Sequence, residues 1–208
     1  HQTCGIWWWA QAKLSDTYDL IAFTYSISMS ENPFKILSSE AKYVNPWIQV
    51  REDRVIRPDN REWIFGIVTM IDGVTILAYD NEGNIFLSQE YKYGLWWNSI
   101  ELISGGIDNQ ETLLECAQRE LEEETWLCAN DWTYMWYIDP FTTVIKSRNH
   151  LFLARDLVPG VPHPDGWEIL EINKVSFTDA LKMVSDNQIS HGASVAAILK
   201  ASFLLNIH

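Results

Sequence analysis

Between residue 47 and about residue 86, apolar and polar positions alternate in short runs rich in β-branched and aromatic side chains. Each run ends in turn chemistry: WIQVREDRVI is followed by Pro58-Asp59-Asn60, WIFGIVTM by Asp72-Gly73, and VTILAYD by Asn81-Glu82-Gly83. Proline presets a bend, and Asn, Asp and Gly tolerate positive φ, so the pattern predicts hairpins. NIFLSQEYKY and SIELIS add two strands, and WTYMWYI, NHLFLARDL and WEILEINKVSF add three more. Elsewhere the period changes to that of a helix. Thr112-Leu113-Leu114-Glu115 has the form of a capping box, which predicts a helix beginning at Thr112. Leu114, Ala117 and Leu121 then form a stripe that faces a core. Two helices close the chain, near 178–186 and 193–205, the second with Val195, Ile198, Leu199 and Phe203 near one face. Strands with a few interspersed helices indicate an α+β or α/β sandwich.

Residues 1–28 fit neither period, and GIWWWAQ places three tryptophans in a row. From Met29 the texture is that of an ordinary protein start, so 1–28 are expected to be a non-native or disordered extension. The expected organisation is then a β-rich part over 29–90 that runs into the core sheet, and a core with C-terminal helices over 91–208. With 208 residues and 47% apolar content the chain can bury a real core. No run approaches the roughly 18 apolar residues that span a bilayer, so no membrane association is expected. The net charge of −13 argues against a nucleic acid held through its phosphates. It does not exclude a small phosphorylated ligand, because bound cations reverse the local sign. Cys4, Cys116 and Cys128 are odd in number and form no CxxC pair, which fits a reducing cytoplasm better than a disulfide framework.

The helix from Thr112 carries the candidate chemistry. Glu120, Glu123 and Glu124 stand at i, i+3 and i+4, so their carboxylates converge on one face. A solvated acidic face is the ordinary explanation of such a run. Against it, each like-charged pair costs a few tenths of a kcal/mol, and the negative end of the helix dipole adds to the cost. A hard divalent cation with oxygen ligands would turn that repulsion into affinity.

The spacing is more specific. Gly105, five residues, Glu111, seven residues, then Arg119-Glu120-Leu121-Glu122-Glu123-Glu124-Thr125-Trp126-Leu127 resembles the Nudix box, G-x5-E-x7-R-E-U-x-E-E-x-G-U, at every fixed position but the last glycine. SIELISGGI before it and HLFLARDL after it resemble the ADP-ribose pyrophosphatase branch of the Nudix hydrolases, a likeness running roughly from Pro46 to Ala201. The resemblance implies an α/β/α sandwich with a mixed sheet, preceded by a small antiparallel sheet through which these enzymes form homodimers.

It also implies hydrolysis of a nucleoside diphosphate linked to another group, such as ADP-ribose, with Mg²⁺ or Mn²⁺. GDP-mannose, a dinucleoside polyphosphate and a damaged nucleotide are the alternative substrates, and a silent nucleotide-binding module the alternative role. Carried onto this chain, Glu120, Glu123 and Glu124 and the backbone carbonyl of Ser104 are the implied metal ligands. Glu111 and Arg119 orient them through ion pairs, and the Gly105-Gly106 turn lets the backbone come close. The general base of this branch lies well after the box; Glu168 in WEILEI fits that position, with Glu171 second. Lys92 in QEYKYGL resembles a basic position that meets substrate phosphates. His150, directly before an apolar strand, reads as structural.

Trp126 stands where the box has glycine. Helices commonly end in a left-handed residue, where a side chain costs roughly 1 kcal/mol or more. Trp63, Trp96 or Trp97, Trp136 and Trp167 likewise sit where related enzymes commonly carry small or turn-forming residues, whereas Trp47 and Trp132 fit the family. Eleven tryptophans is several times ordinary usage. The expectation is that several of these codons are UGA, read as glycine by the source organism, and that the WWW before Met29 is translated upstream sequence. The competing reading is an aromatic-rich variant that tolerates strain at the helix end.

Overall fold

The computed structural model describes residues 31–108, 110–161 and 170–207. The elements in chain order are β1 (Lys35–Val44), β2 (Ile48–Ile56), β3 (Glu62–Met70), β4 (Gly73–Ala78), β5 (Asn84–Lys92), β6 (Trp97–Gly106) and α1 (Leu113–Thr125). After them come β7 (Leu127–Ile138), β8 (Ile145–Lys146), β9 (Asn149–Pro159), β10 (Glu171–Ser176), α2 (Phe177–Ser185) and α3 (Gly192–Leu205). They belong to two units: residues up to Met70 with 143–146, and 71–142 with 147–208. The expected extension over 1–28 lies outside the described residues.

The first unit is a four-stranded sheet in the order β1-β2-β3-β8, antiparallel except where the short β8 runs parallel to β3. Asn45 sets the first hairpin: its side-chain oxygen accepts from the backbone of Trp47 and Ile48. Strand β1 was not predicted. All ten of its residues are exposed, so KILSSEAKYV buries no face and carries no alternation to read.

The second unit holds a six-stranded sheet in the order β10-β5-β6-β4-β9-β7, mixed because β4 and β9 run parallel. Its central strand β4 is buried on both sides, and its side chains divide by period two. Val74, Ile76 and Ala78 join Ile103, Cys116, Ala117, Leu121 and Phe152 under α1. Leu77 joins Leu102, Leu151, Leu153, Phe177 and Ile198 under α2 and α3. This is the expected sandwich of helices on both faces of a mixed sheet.

Two helix faces differ from expectation. On α1 the buried residues are Cys116, Ala117 and Leu121, while Leu114 is 40% exposed. On α3 the buried residues are Ala193, Ser194, Ala197, Ile198, Ala201 and Ser202, whereas Leu199 and Phe203 are exposed. The close approach of that helix selects small side chains, so the bulk of the apolar residues does not mark the inward face. The capping box is present as read: Thr112 Oγ1 accepts from Glu115 N, and the Glu115 carboxylate accepts from Thr112 N at 2.7 Å. At the other end Trp126 caps the helix at φ 57°, ψ 29°, and its N–H donates to Glu122 O at 2.8 Å.

Candidate active site

The acidic face of α1 is seated on the backbone at the end of β6. An added Cβ at Gly105 would fall 1.9–2.4 Å from the Glu120 carboxylate, closer than any real contact. The Glu120 carboxylate lies against the α-carbon of Gly105, and a side chain at 105 would displace it. Ser104, the preceding residue, pairs with Thr75 of β4, which fixes this strand end in the centre of the sheet.

Arg119 answers the repulsion on the helix. Its Nε and Nη2 donate to the two oxygens of Glu111 at 3.1 and 2.8 Å, a bidentate pair. Its Nη1 donates to Glu120 at 2.7 Å and to Glu123 at 3.1 Å, and Nη2 reaches the Gly106 carbonyl at 3.2 Å. One guanidinium therefore bridges three carboxylates and the strand end. Its hydrogen bonds hold the Glu111 carboxyl down at about 2, and those carboxylates raise Arg119 in turn. Burial pushes Glu120 above the usual carboxylate range, against the pull of Arg119. Burial also pushes the Cys116 thiol up to about 12, so it is no nucleophile near neutral pH.

Among the described residues no three His, Cys, Asp or Glu side chains converge as a ready metal cage, because Glu120 and Glu123 are turned onto Arg119. Their chemistry still fits a hard divalent cation. Three carboxylates share one helix face, next to backbone carbonyls at a strand end.

Lys92, the last residue of β5, is in the same neighbourhood: burial lowers its pKa, but a hydrogen bond to Glu90 and the charges of Glu101 and Glu124 outweigh that and raise it. Its ammonium lies 3.9 Å from Glu101, which is only 7% exposed. The same Glu101 oxygen is 3.4 Å from His191 Nδ1 at the head of α3, and that nitrogen is 2.9 Å from Ser194 Oγ. Ser194 Oγ accepts from Leu102 N at 2.8 Å, tying α3 to β6. Burial holds His191 below the ordinary imidazole value despite the charge of Glu101.

Sequence reasoning missed Glu90, Glu101, His191 and Ser194. A signal existed for Glu101, a lone acid inside the apolar run SIELIS, since a buried carboxylate needs partners. His191 and Ser194 had none, because their relation to Glu101 is purely tertiary. Glu168 lies outside the described residues. Glu171 opens β10, exposed and opposite Gln89 of β5. His150 is buried, with its Nδ1 2.8 Å from Tyr134 Oη and its Nε2 3.8 Å from Asp72.

Residues 70–195, more than half of the chain, match the NUDIX domain, and residues 34–68 match the nucleoside diphosphate sugar hydrolase N-terminal domain. The ADP compounds hydrolase NudE of Escherichia coli is 26% identical over 79% of this chain and 82% of its own length. An ADP-ribose pyrophosphatase of Bacillus subtilis is 28% identical over 79% of this chain and 90% of its own. In fold, the crystal structure of an ADP compounds hydrolase superposes with a TM-score of 0.75 at 20% identity, covering 84% of this chain and 95% of that one.

Proposed function

The chain belongs to the NUDIX domain family, and from that premise we propose that it hydrolyses the pyrophosphate bond of a nucleoside diphosphate sugar of the ADP-ribose type, with Mg²⁺ or Mn²⁺. The observation that carries this reading is the acidic face of α1 seated on Gly105, with Arg119 bridging Glu111, Glu120 and Glu123. Glu120, Glu123 and Glu124, with the Ser104 carbonyl, are the residues that would hold the cation. Bound there, a divalent ion neutralises the pyrophosphate and lowers the pKa of a coordinated water. Arg119, held by Glu111, is the proposed positioning residue for Glu120 and Glu123, to both of which it donates. Glu168 is the proposed general base, and Glu171 the next choice. The N-terminal domain match supports a sugar-linked nucleotide as the substrate class, and the first unit's sheet is the proposed homodimer surface.

The test is a panel of ADP-ribose, GDP-mannose, dinucleoside polyphosphates and oxidised nucleotides in millimolar Mg²⁺, with products separated by chromatography. ADP-ribose is expected to turn over fastest, giving AMP and ribose 5-phosphate. No turnover of any compound in Mg²⁺ or Mn²⁺ would sink the proposal.

Lys92 is proposed to meet the substrate phosphates, with Glu101 as its positioning residue. Lys92→Ala should raise KM about tenfold or more, the worth of a charge-assisted hydrogen bond. Glu101→Gln keeps the shape but not the charge, and should raise KM several-fold with kcat little changed. In the double variant the two effects should not add, since both act through one ammonium. Additive effects, or a loss in kcat alone, would remove Glu101 from this role.

A further inference from the structure

Seven non-glycine residues among those described have positive φ. Four are Asn60, Asp156, Asn187 and Asn206, of the two residue types whose short polar side chains tolerate the left-handed region. The other three are all tryptophan: Trp96 at 65°, Trp126 at 57° and Trp136 at 75°. No leucine, lysine, glutamate or serine shares the conformation. A bulky side chain there is a steric outlier, and three of one rare residue type do not arise from ordinary tolerance of strain.

The three settings are unrelated, and each is one in which glycine is favoured. Trp96 ends the turn after β5, where the N–H groups of Leu95 and Trp96 both donate to Lys92 O. Trp126 is the left-handed cap of α1. Trp136 lies in the register shift of β7 between Tyr134 and Tyr137, a bulge. All three are more than half exposed, at 71%, 54% and 62%, so burial does not offset the backbone strain. Trp132 behaves otherwise: its backbone is ordinary, its ring packs edge-on against Phe152, and its indole N–H donates to Ala129 O at 3.0 Å.

From this we infer that positions 96, 126 and 136 are glycine in the native protein. Their codons are UGA, which variant genetic codes assign either to tryptophan or to glycine, and the source organism uses glycine. The backbone separates the candidates that sequence left together. Between Trp96 and Trp97 it selects Trp96. Trp63 and Trp97 lie in strands at ordinary φ and gain no support from it. Trp167 and the WWW run lie outside the described residues. The inference is independent of the proposed activity, because it rests on backbone geometry and residue type.

Sequencing the gene tests it first. UGA at 96, 126 and 136, with UGG at 132, is the expected result, and UGG at any of the three overturns it. Tandem mass spectrometry of the protein from its source should then find glycine there; tryptophan encoded by UGA overturns it as well. The energetic test needs neither. Each of Trp96→Gly, Trp126→Gly and Trp136→Gly should raise Tm by about 3 °C, and the triple variant by the approximate sum. A triple variant that melts at or below the unsubstituted chain refutes the glycine assignment.

Discussion

Glu120→Gln and Glu124→Gln are each expected to lower kcat by orders of magnitude while the fold survives. A carboxamide keeps the size of the side chain but loses the charge through which a hard cation is held. The metal-free stabilities should stay close to that of the unsubstituted chain, within roughly 2 °C in Tm. Sequence alone predicts a slight gain, since removing one acid relieves repulsion. The structure revises this for Glu120, whose charge is already met by Arg119 at 2.7 Å, so relief of repulsion and loss of an ion pair oppose each other. Steady-state kinetics in Mg²⁺ beside a thermal melt checks both halves. Near-native turnover by either variant would show that the metal assignment is wrong.

What could be read from the sequence follows from where each signal is stored. Local signals survived. The capping box at Thr112, the hairpin turn at Pro58-Asp59-Asn60 and the fixed spacing from Gly105 to Glu124 all concern residues near each other in the chain, and the structure builds helix and strands where those signals stand. The other two turn signals make no hairpin: β3 and β4, joined through Asp72-Gly73, belong to different sheets, and β4 and β5, joined through Asn81-Glu82-Gly83, share only the bridge Tyr79–Ile85 because β6 lies between them. A turn signal marks a bend and does not choose the pairing partner. Signals that depend on a partner were weaker. The inward face of α3 is lined by alanine and serine because the sheet comes close, so apolar bulk pointed to Leu199 and Phe203, which are exposed. Strand β1 is defined only by its pairing with β2, and none of its residues is buried. In the site the split is the same. Glu120, Glu123 and Glu124 were marked by their helical spacing and Glu111 and Arg119 by the resemblance to the Nudix box, while the line from Lys92 through Glu101 to His191 joins three elements and is visible only when they are packed. Trp126 was legible for a further reason: it breaks a local rule at a helix end, and the backbone keeps the left-handed geometry the rule describes.

Divalent metal is expected to stabilise the fold. In the absence of a cation the acidic face depends on one guanidinium, which divides its donors among Glu111, Glu120 and Glu123. Glu120 is also largely buried, which penalises its charged form. An ion bound by Glu120, Glu123 and Glu124 would compensate that charge directly and leave Arg119 to Glu111. Because the unfolded chain does not hold these carboxylates together, binding favours the native state by RT ln(1 + [L]/Kd), about 2.7 kcal/mol at a concentration of 100 Kd. For a chain of this length that corresponds to roughly 5–10 °C in Tm. Millimolar Mg²⁺ or Mn²⁺ should therefore raise the melting temperature, and NaCl matched in ionic strength should not. Glu120→Gln and Glu124→Gln should lose most of the shift, which separates binding at this face from screening of the net charge of −13. A melt that neither metal moves, with or without nucleotide, would remove the metal site from the reading.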